Sequence, residues 1–439
     1  MNAVLAMPLE LRLAALALAG AWLGSLVNWG AYRLAWNPRT ISPLGPAPPA
    51  APPRRAWDRL PIVGWLGLRR ETQTHGRGFW IRPMAVEMGL ALGLPLLYWW
   101  EVHTAALVPP ALPPPAGPAL SMLHAQFLAH TLLIVLMLAA SLIDLDEKII
   151  PDAITVPGTL LGLFLAAAAP RSLLPAAVPE LLVPPGGHVP EQLWHLFDMP
   201  EVPWPFLDLT SPHGWPAWLD GRPNLLPLGL ALACWWAWCA AILPRPWRGR
   251  HGWSRALALL LARLARERIT YRIVAMGAFG SAAMTGVWIV GGDPWRALLT
   301  ALVGMAGGGG LVWVVRIVAT AVLRREAMGF GDVTLMAMIG AFLGWQACLI
   351  IFFLAPLAGL VVGLVQVVVL RDSEIPYGPF LCLAALGLIV FWAPVWSFAW
   401  GIFALGWLIP AIVALCMVLM AMLLSLWMVL RKALFGWPR

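Results

Sequence analysis

From residue 333 to residue 370 the chain runs without a charged side chain. That is nearly twice the roughly 20 residues an α-helix needs to cross the hydrocarbon of a bilayer. Runs of the same character recur along the 439 residues, of which 61% are hydrophobic and 11% charged. Mean hydropathy is +0.79. A soluble domain does not have this balance, so the chain reads as an all-α polytopic membrane protein.

The apolar runs divide into about eleven transmembrane helices. They fall at 11–35, 84–100, 125–143, 153–169, 225–243, 273–291 and 295–323, then 333–370, then 380–395 and 403–430. The run 333–370 is too long for one crossing, and Gly344-Trp345-Gln346 is where it breaks most naturally into two. The first run lacks a trustworthy small-residue cleavage site and reads as a retained span.

Charge sorts the connections. Residues 37–83 hold Arg39, Arg54, Arg55, Arg59, Arg69, Arg70, Arg77 and Arg82 among many prolines. Residues 244–272, the pair Arg324-Arg325 and the terminal Arg431-Lys432 are basic too. In contrast, 101–124 and 292–294 have no Lys or Arg, and the Pro- and Trp-rich 170–224 has only Arg171 and Arg222. The two kinds alternate as the positive-inside rule demands, with the N-terminus outside and the C-terminus inside. Residues 37–83 are then a Pro/Arg-rich cytoplasmic loop, 170–224 is external, and the net charge of +8 sets orientation in the lipid bilayer. No nucleic-acid partner is expected. The five cysteines lie in or beside apolar runs with no CxxC pair, and read as small buried hydrophobes.

The same scheme puts two aspartates on the cytoplasmic side. Asp332 ends the stretch Met328-Gly329-Phe330-Gly331-Asp332, at or near the N-cap of the next helix. Gly329 and Gly331 leave room for another backbone to approach its carboxylate. An ordinary aspartate cap explains the five residues equally well. Asp144 closes the span 125–143, where an ionisable group needs protein or water around it and is a functional candidate. Asp146, Glu147 and Lys148 suit solvated headgroup positions, with Asp146 second choice for chemistry, and Asp152 fits the N-cap of the following span. Two aspartates on one membrane face suit an aspartyl protease, one carboxylate activating water and the other polarising the carbonyl. His130 reads as a core residue, and His188, His195 and His213 lack metal-ligand spacing, so no metal site is expected.

With these motifs in order, the sequence resembles the type IV prepilin leader peptidases, membrane aspartyl proteases of the GxGD class. The likeness rests on Gly24-Ser25-Leu26-Val27-Asn28 with Tyr32-Arg33. It continues through Leu60-Pro61-Ile62-Val63-Gly64-Trp65-Leu66 with Arg82-Pro83 and Glu87, and through Ile143-Asp144-Leu145-Asp146 to Ile150-Pro151-Asp152. Gly329-Phe330-Gly331-Asp332, Gly340 to Gln346 and Ile375-Pro376-Tyr377-Gly378-Pro379-Phe380 complete it. The resemblance implies catalytic Asp144 and Asp332, with Gly329, Gly331 and Asp152 supporting the motifs. It implies removal of the basic leader of prepilins or type II secretion pseudopilins, at the cytoplasmic face of the inner membrane. No cofactor is needed for that cleavage; S-adenosylmethionine would serve N-methylation if that activity is retained. Three departures stand out. The family's paired CxxC motifs are absent from residues 69–82, Thr334 stands where a lysine is usual, and the aspartates are 188 positions apart. The last departure makes 170–292 an insertion, between a first span at 1–36, the loop 37–83, a core at 84–169 and a second core at 293–439. Its basic stretch Arg263 to Arg268 reads as a topology anchor. Two other readings fit intramembrane carboxylates: a transporter or proton pathway, with Gly307 to Gly310 as a broken helix, and an inactive peptidase-like scaffold.

Overall fold

A computed structural model describes residues 7–39, 41–43, 45, 51, 53–108, 118–177, 207–208, 219, 224–243, 266–324, 326, 328–369, 376–403, 405–406 and 408–435. Most of the expected external segment, its histidines included, and the basic stretch up to Ala265 lie outside the described residues. In chain order, α1 is Leu9–Arg33, α2 Val63–Leu68, α3 Thr72–His75, α4 Ile81–Tyr98, α5 Pro118–Glu147 and α6 Asp152–Ala168. A two-residue antiparallel bridge pairs β1, Ala176–Ala177, with β2, Leu207–Asp208. Then come α7 Leu226–Ala241, α8 Arg268–Val290, α9 Gly292–Leu323, α10 Phe330–Val369, α11 Gly378–Val390, α12 Trp392–Phe403 and α13 Leu408–Phe435.

The chain is a multi-pass helical membrane protein. Among the described residues seven helices are long and apolar enough to cross a bilayer: α1, α4 with the π-turn Trp99–His103 that extends it, α5, α8, α9, α10 and α13. The pair α11 and α12, bent by 91°, would make an eighth if taken as one span. The remaining difference from about eleven lies in α6 and α7, which are apolar but only 17 and 16 residues long, and in α10. The expected break of α10 falls at Gly344, whose φ of 83° and ψ of 173° interrupt the helix. Only glycine enters that conformation without strain.

Burying apolar side chains against one another gains little in lipid, so close packing holds such helices together. The most extensive helix–helix interface joins α9 to α10. Their backbones meet at Gly304 and Gly340, where a Cβ on either would run into the carbonyl of the other. The helix α9 continues unbroken through Gly307 to Gly310, so that glycine run is a packing surface. On its far side α9 carries α7 and α8, through a cluster that includes Trp235, Trp238, Trp295, Leu299 and Met305. The described cysteines are free thiols, three buried and two half-buried.

At one end of the bundle, Trp100 Nε1 donates to the Val390 carbonyl (2.8 Å) and Trp392 Nε1 to that of Pro175 (2.6 Å). Trp392 also stacks on Trp396. These anchors turn the chain at Phe391, so the span expected to reach residue 395 stops at Val390. The mid-span His130 is a bonded core residue, its Nδ1 2.8 Å from the buried Glu101 carboxylate.

At the other end lies loop 37–83. Without cysteines it is organised by buried carboxylates. Glu87 of α4 is fully buried and accepts from Ser25 Oγ (2.7 Å), Asn28 Nδ2 (3.3 Å), Trp65 Nε1 (2.9 Å) and the Ile62 N–H (2.5 Å). One side chain thereby ties α1, α4 and the loop. Arg54 grips Glu71 through two bonds of 2.9 and 2.8 Å, and Arg70 pairs with Asp58. Trp57 is 54% exposed. Trp65 is fully buried, because its indole N–H is needed by Glu87. Replacing Arg54 by Met should strand the buried Glu71 charge at a cost of about 3–5 kcal/mol. The loop should then be cut faster in limited proteolysis.

Candidate active site

The C-terminal end of α5 presents its acids in two directions. Asp146 faces outward, 2.5 Å from Arg82 Nη1 and 3.7 Å from Arg39 Nη1. Glu147 accepts the backbone N–H groups of Trp36 (2.6 Å) and Asn37 (2.9 Å). Both clamp loop 37–83 to the bundle. Asp144 is turned inward and is 4% exposed. The chain then reverses through Lys148 in a left-handed conformation (φ 56°), its N–H bonded to the Asp144 carbonyl at 2.8 Å.

That reversal lays Ile150 across the start of α10. A Cβ on Gly331 would stand 2.8 Å from Ile150 Cβ and 3.2 Å from its backbone N and O. The close backbone approach thus occurs at Gly331, while Gly329 has only ordinary contacts. Asp332 is the third residue of α10, not its cap, and its carboxylate takes the Gly329 N–H, one half of a capping box. Asp152 is likewise the first residue of α6; Pro151 holds the N-cap position and no side-chain cap bond forms. Thr334 receives a hydrogen bond from Thr155 Oγ1 (3.1 Å) and donates to the Gly331 carbonyl (3.1 Å), pinning α6 to this turn.

Asp144 and Asp332 are both buried and close enough for the Asp144 charge to act on Asp332. The start of α11 lies against Asp144. The Gly378 N–H lies beside the Asp144 carboxylate, and a Cβ on Gly378 would be 2.5 Å from Asp144 Oδ2. That oxygen is buried with no hydrogen-bond partner among the described residues. Tyr377 lies within reach of the Asp332 charge. Burial, and secondarily that charge, push its phenol up to about 12, so it remains an O–H donor at neutral pH.

Three contributors escaped sequence reasoning as site residues: Gly378, Tyr377 and Arg316. Arg316 of α9 donates to the Met328 carbonyl (2.9 Å), pairs with Glu326 (2.5 Å) and lies over the Phe330 ring. It thereby holds the strand of chain that leads into Asp332. An arginine inside an apolar span was the available signal. Among the described residues no three of His, Cys, Asp and Glu cluster as a metal site would require.

Residues 256–364 match the model of the type IV leader peptidase family. The match includes Asp332, begins inside the segment expected to be an insertion, and does not reach Asp144. Curated relatives named prepilin leader peptidase/N-methyltransferase match as well. The Legionella pneumophila protein is 39% identical over 71 residues, 16% of this chain and 24% of its own length. That of Burkholderia pseudomallei strain 1026b is 32% identical over 101 residues, 22% and 33% respectively. That of Pseudomonas aeruginosa is 38% identical over 92 residues, 20% and 30%. No solved structure matches this chain. The chain spans about a quarter to a third of the length of these relatives. Residues 256–364, the segment that holds Asp332, are thus similar to the type IV leader peptidase family.

Proposed function

We propose that this protein is an aspartyl endopeptidase of the inner membrane that removes the basic leader of type IV prepilins or type II secretion pseudopilins at the cytoplasmic face. The observation that carries the reading is that Asp144 and Asp332, 188 positions apart in sequence, are both buried, with their flanking chain packed together where Gly331 meets Ile150. Two such groups out of water share one proton rather than both ionising, and titrate as a pair. The ionised partner takes a proton from water, and the protonated partner polarises the scissile carbonyl. Gly331 and Gly378 let the flanking backbones close around the pair, and Tyr377 supplies a further donor. Co-expression with a candidate prepilin, watching for loss of its leader, tests the reading.

The cytoplasmic placement follows from charge. The Arg-rich loop 37–83 is bonded to the same end of the bundle as Asp144. Single cysteines introduced at 37–83 in a cysteine-free background should label from the cytoplasmic side, and those in 170–224 from outside. The reverse pattern overturns this orientation.

Metal and methyl transfer do not fit the loop. It has no cysteine, and His75 is its one histidine. Its only acids, Asp58 and Glu71, are buried and engaged by Arg70 and Arg54. No accessible carboxylate remains there for the cationic end of S-adenosylmethionine, and no thiolate for zinc. Cleavage should therefore be unchanged after chelation of the purified protein; stoichiometric zinc with chelator-sensitive cleavage would refute this.

A further inference from the structure

Two carboxyl groups that share one proton aim a single O–H at the carbonyl they attack. As water adds, the oxygen of that carbonyl takes on negative charge, and a second donor placed there is worth much in a site that excludes water. The donors beside Asp144 and Asp332 are spent on the protein itself. The Gly378 N–H faces the Asp144 carboxylate, and the Gly329 N–H that of Asp332. Ser141 is bonded to the Cys382 thiol. Thr334 donates to the Gly331 carbonyl, and Arg316 is held by Glu326 and the Met328 carbonyl.

The phenol of Tyr377 is different: its O–H has no hydrogen-bond partner among the described residues. A tyrosine packed into a core usually finds one. The rest of Tyr377 is fixed. It is the N-cap of α11, and its carbonyl accepts the N–H groups of Phe380 (3.0 Å) and Leu381 (3.3 Å). Its ring, half-buried, packs against the main apolar core. Its neighbour Gly378 is pressed against Asp144 and Ile150, and Ile150 against Gly331, the residue before Asp332. Tyr377-Gly378 therefore stands where the two stretches of chain bearing the aspartates meet, with the phenol within reach of the Asp332 charge. Tyr32, a second phenol at this end of the bundle, faces Arg82, Arg39 and Asp146 instead.

Resting on the peptidase reading above, we propose that Tyr377 is a third catalytic residue, whose O–H donates a hydrogen bond to the scissile carbonyl oxygen as water adds. The ionised carboxylate takes a proton from water while the water oxygen bonds to the carbonyl carbon. The π pair of the C=O bond moves onto the carbonyl oxygen, which receives the proton of the other carboxyl and the hydrogen bond of Tyr377. In the collapse the C–N bond breaks and the nitrogen takes the proton that came from water. One proton of the diol returns to the second carboxylate, and the C=O bond forms again. Tyr377 keeps its proton throughout.

The test uses the full-length protein and a full-length prepilin. Tyr377→Phe removes one oxygen and strands no partner, so the variant should accumulate in the membrane and melt like wild type. Its kcat should fall about 10²-fold with KM retained, the mark of a contact made only in the transition state. A ring-fluorinated tyrosine at position 377 keeps the shape of the side chain and makes its O–H more acidic. That protein should cleave at least as well as wild type near neutral pH and lose activity at a lower alkaline pH, because a phenolate cannot donate. A residue that merely packs would not move this limb. Unchanged kinetics in Tyr377→Phe would overturn the assignment while leaving the peptidase reading intact. A loss confined to KM would also overturn it, as would a fluorinated protein whose alkaline limb coincides with that of wild type. Failure of the wild-type protein to cleave the prepilin would defeat the peptidase reading, and this assignment with it.

Discussion

Asp144→Asn and Asp332→Asn should each reduce leader cleavage by at least about 10²–10⁴-fold, the usual contribution of positioned acid–base catalysis. Asparagine keeps the shape of the side chain but neither accepts the proton of water nor holds one for the carbonyl. Both carboxylates are buried, and Asp332 also accepts the Gly329 N–H at the start of α10, a bond the asparagine oxygen can still accept. Expression and membrane insertion should therefore persist. Because the two groups act as one unit, the double variant should be little worse than either single one. The measurement is the fraction of co-expressed prepilin that loses its leader, with enzyme amounts matched. Full activity in either variant would sink the assignment. Asp146→Asn should be milder, since Asp146 is a half-exposed anchor for Arg82 and Arg39. Loss confined to that variant would move the first catalytic position by two residues.

The next largest effect is expected at Gly378. An alanine there would place its Cβ 2.5 Å from Asp144 Oδ2 and 2.8 Å from Ile150 Cδ1. Both contacts are under 3 Å, so the Asp144 carboxylate and the Ile150 side chain, or the start of α11, must shift. A displacement of about 1 Å at a reacting group costs on the order of 10²-fold in rate. Gly378→Ala should therefore lower kcat/KM by about that factor while the protein still accumulates in the membrane. Normal kinetics would mean that the position of Asp144 against α11 does not matter for cleavage.

How much of this was visible in the sequence depends on range. The apolar runs reported helices well, because about 20 uncharged residues in a row leave the backbone no partner in lipid but itself. Runs of 16 or 17 residues, as in α6 and α7, were harder. Composition does not say whether a short helix completes a crossing or lodges against its neighbours. Gly344 was legible as a break because glycine beside a change in pattern is a local signal. The caps were displaced by one to three residues: Pro151 took the position expected for Asp152, and α10 began at Phe330 rather than at Asp332.

Residue identity by itself determined that the chain lives in a bilayer, which connections carry the positive charge, and that Asp144 and Asp332 are carboxylates out of place in apolar surroundings. Those are local properties, set by hydration and by charge. The tertiary structure alone decided that the start of α11 packs against Asp144 and that Gly378 and Tyr377 complete the surroundings of the two aspartates. It also decided that Trp65 goes inside to satisfy Glu87, and that Arg54 and Arg70 brace a loop without cysteines. Each of these depends on which distant helices lie side by side. Close packing selects those neighbours, at contacts such as Gly304 on Gly340 and Gly331 on Ile150. A periodic apolar pattern records that a helix has a buried face, and leaves open what will be buried against it.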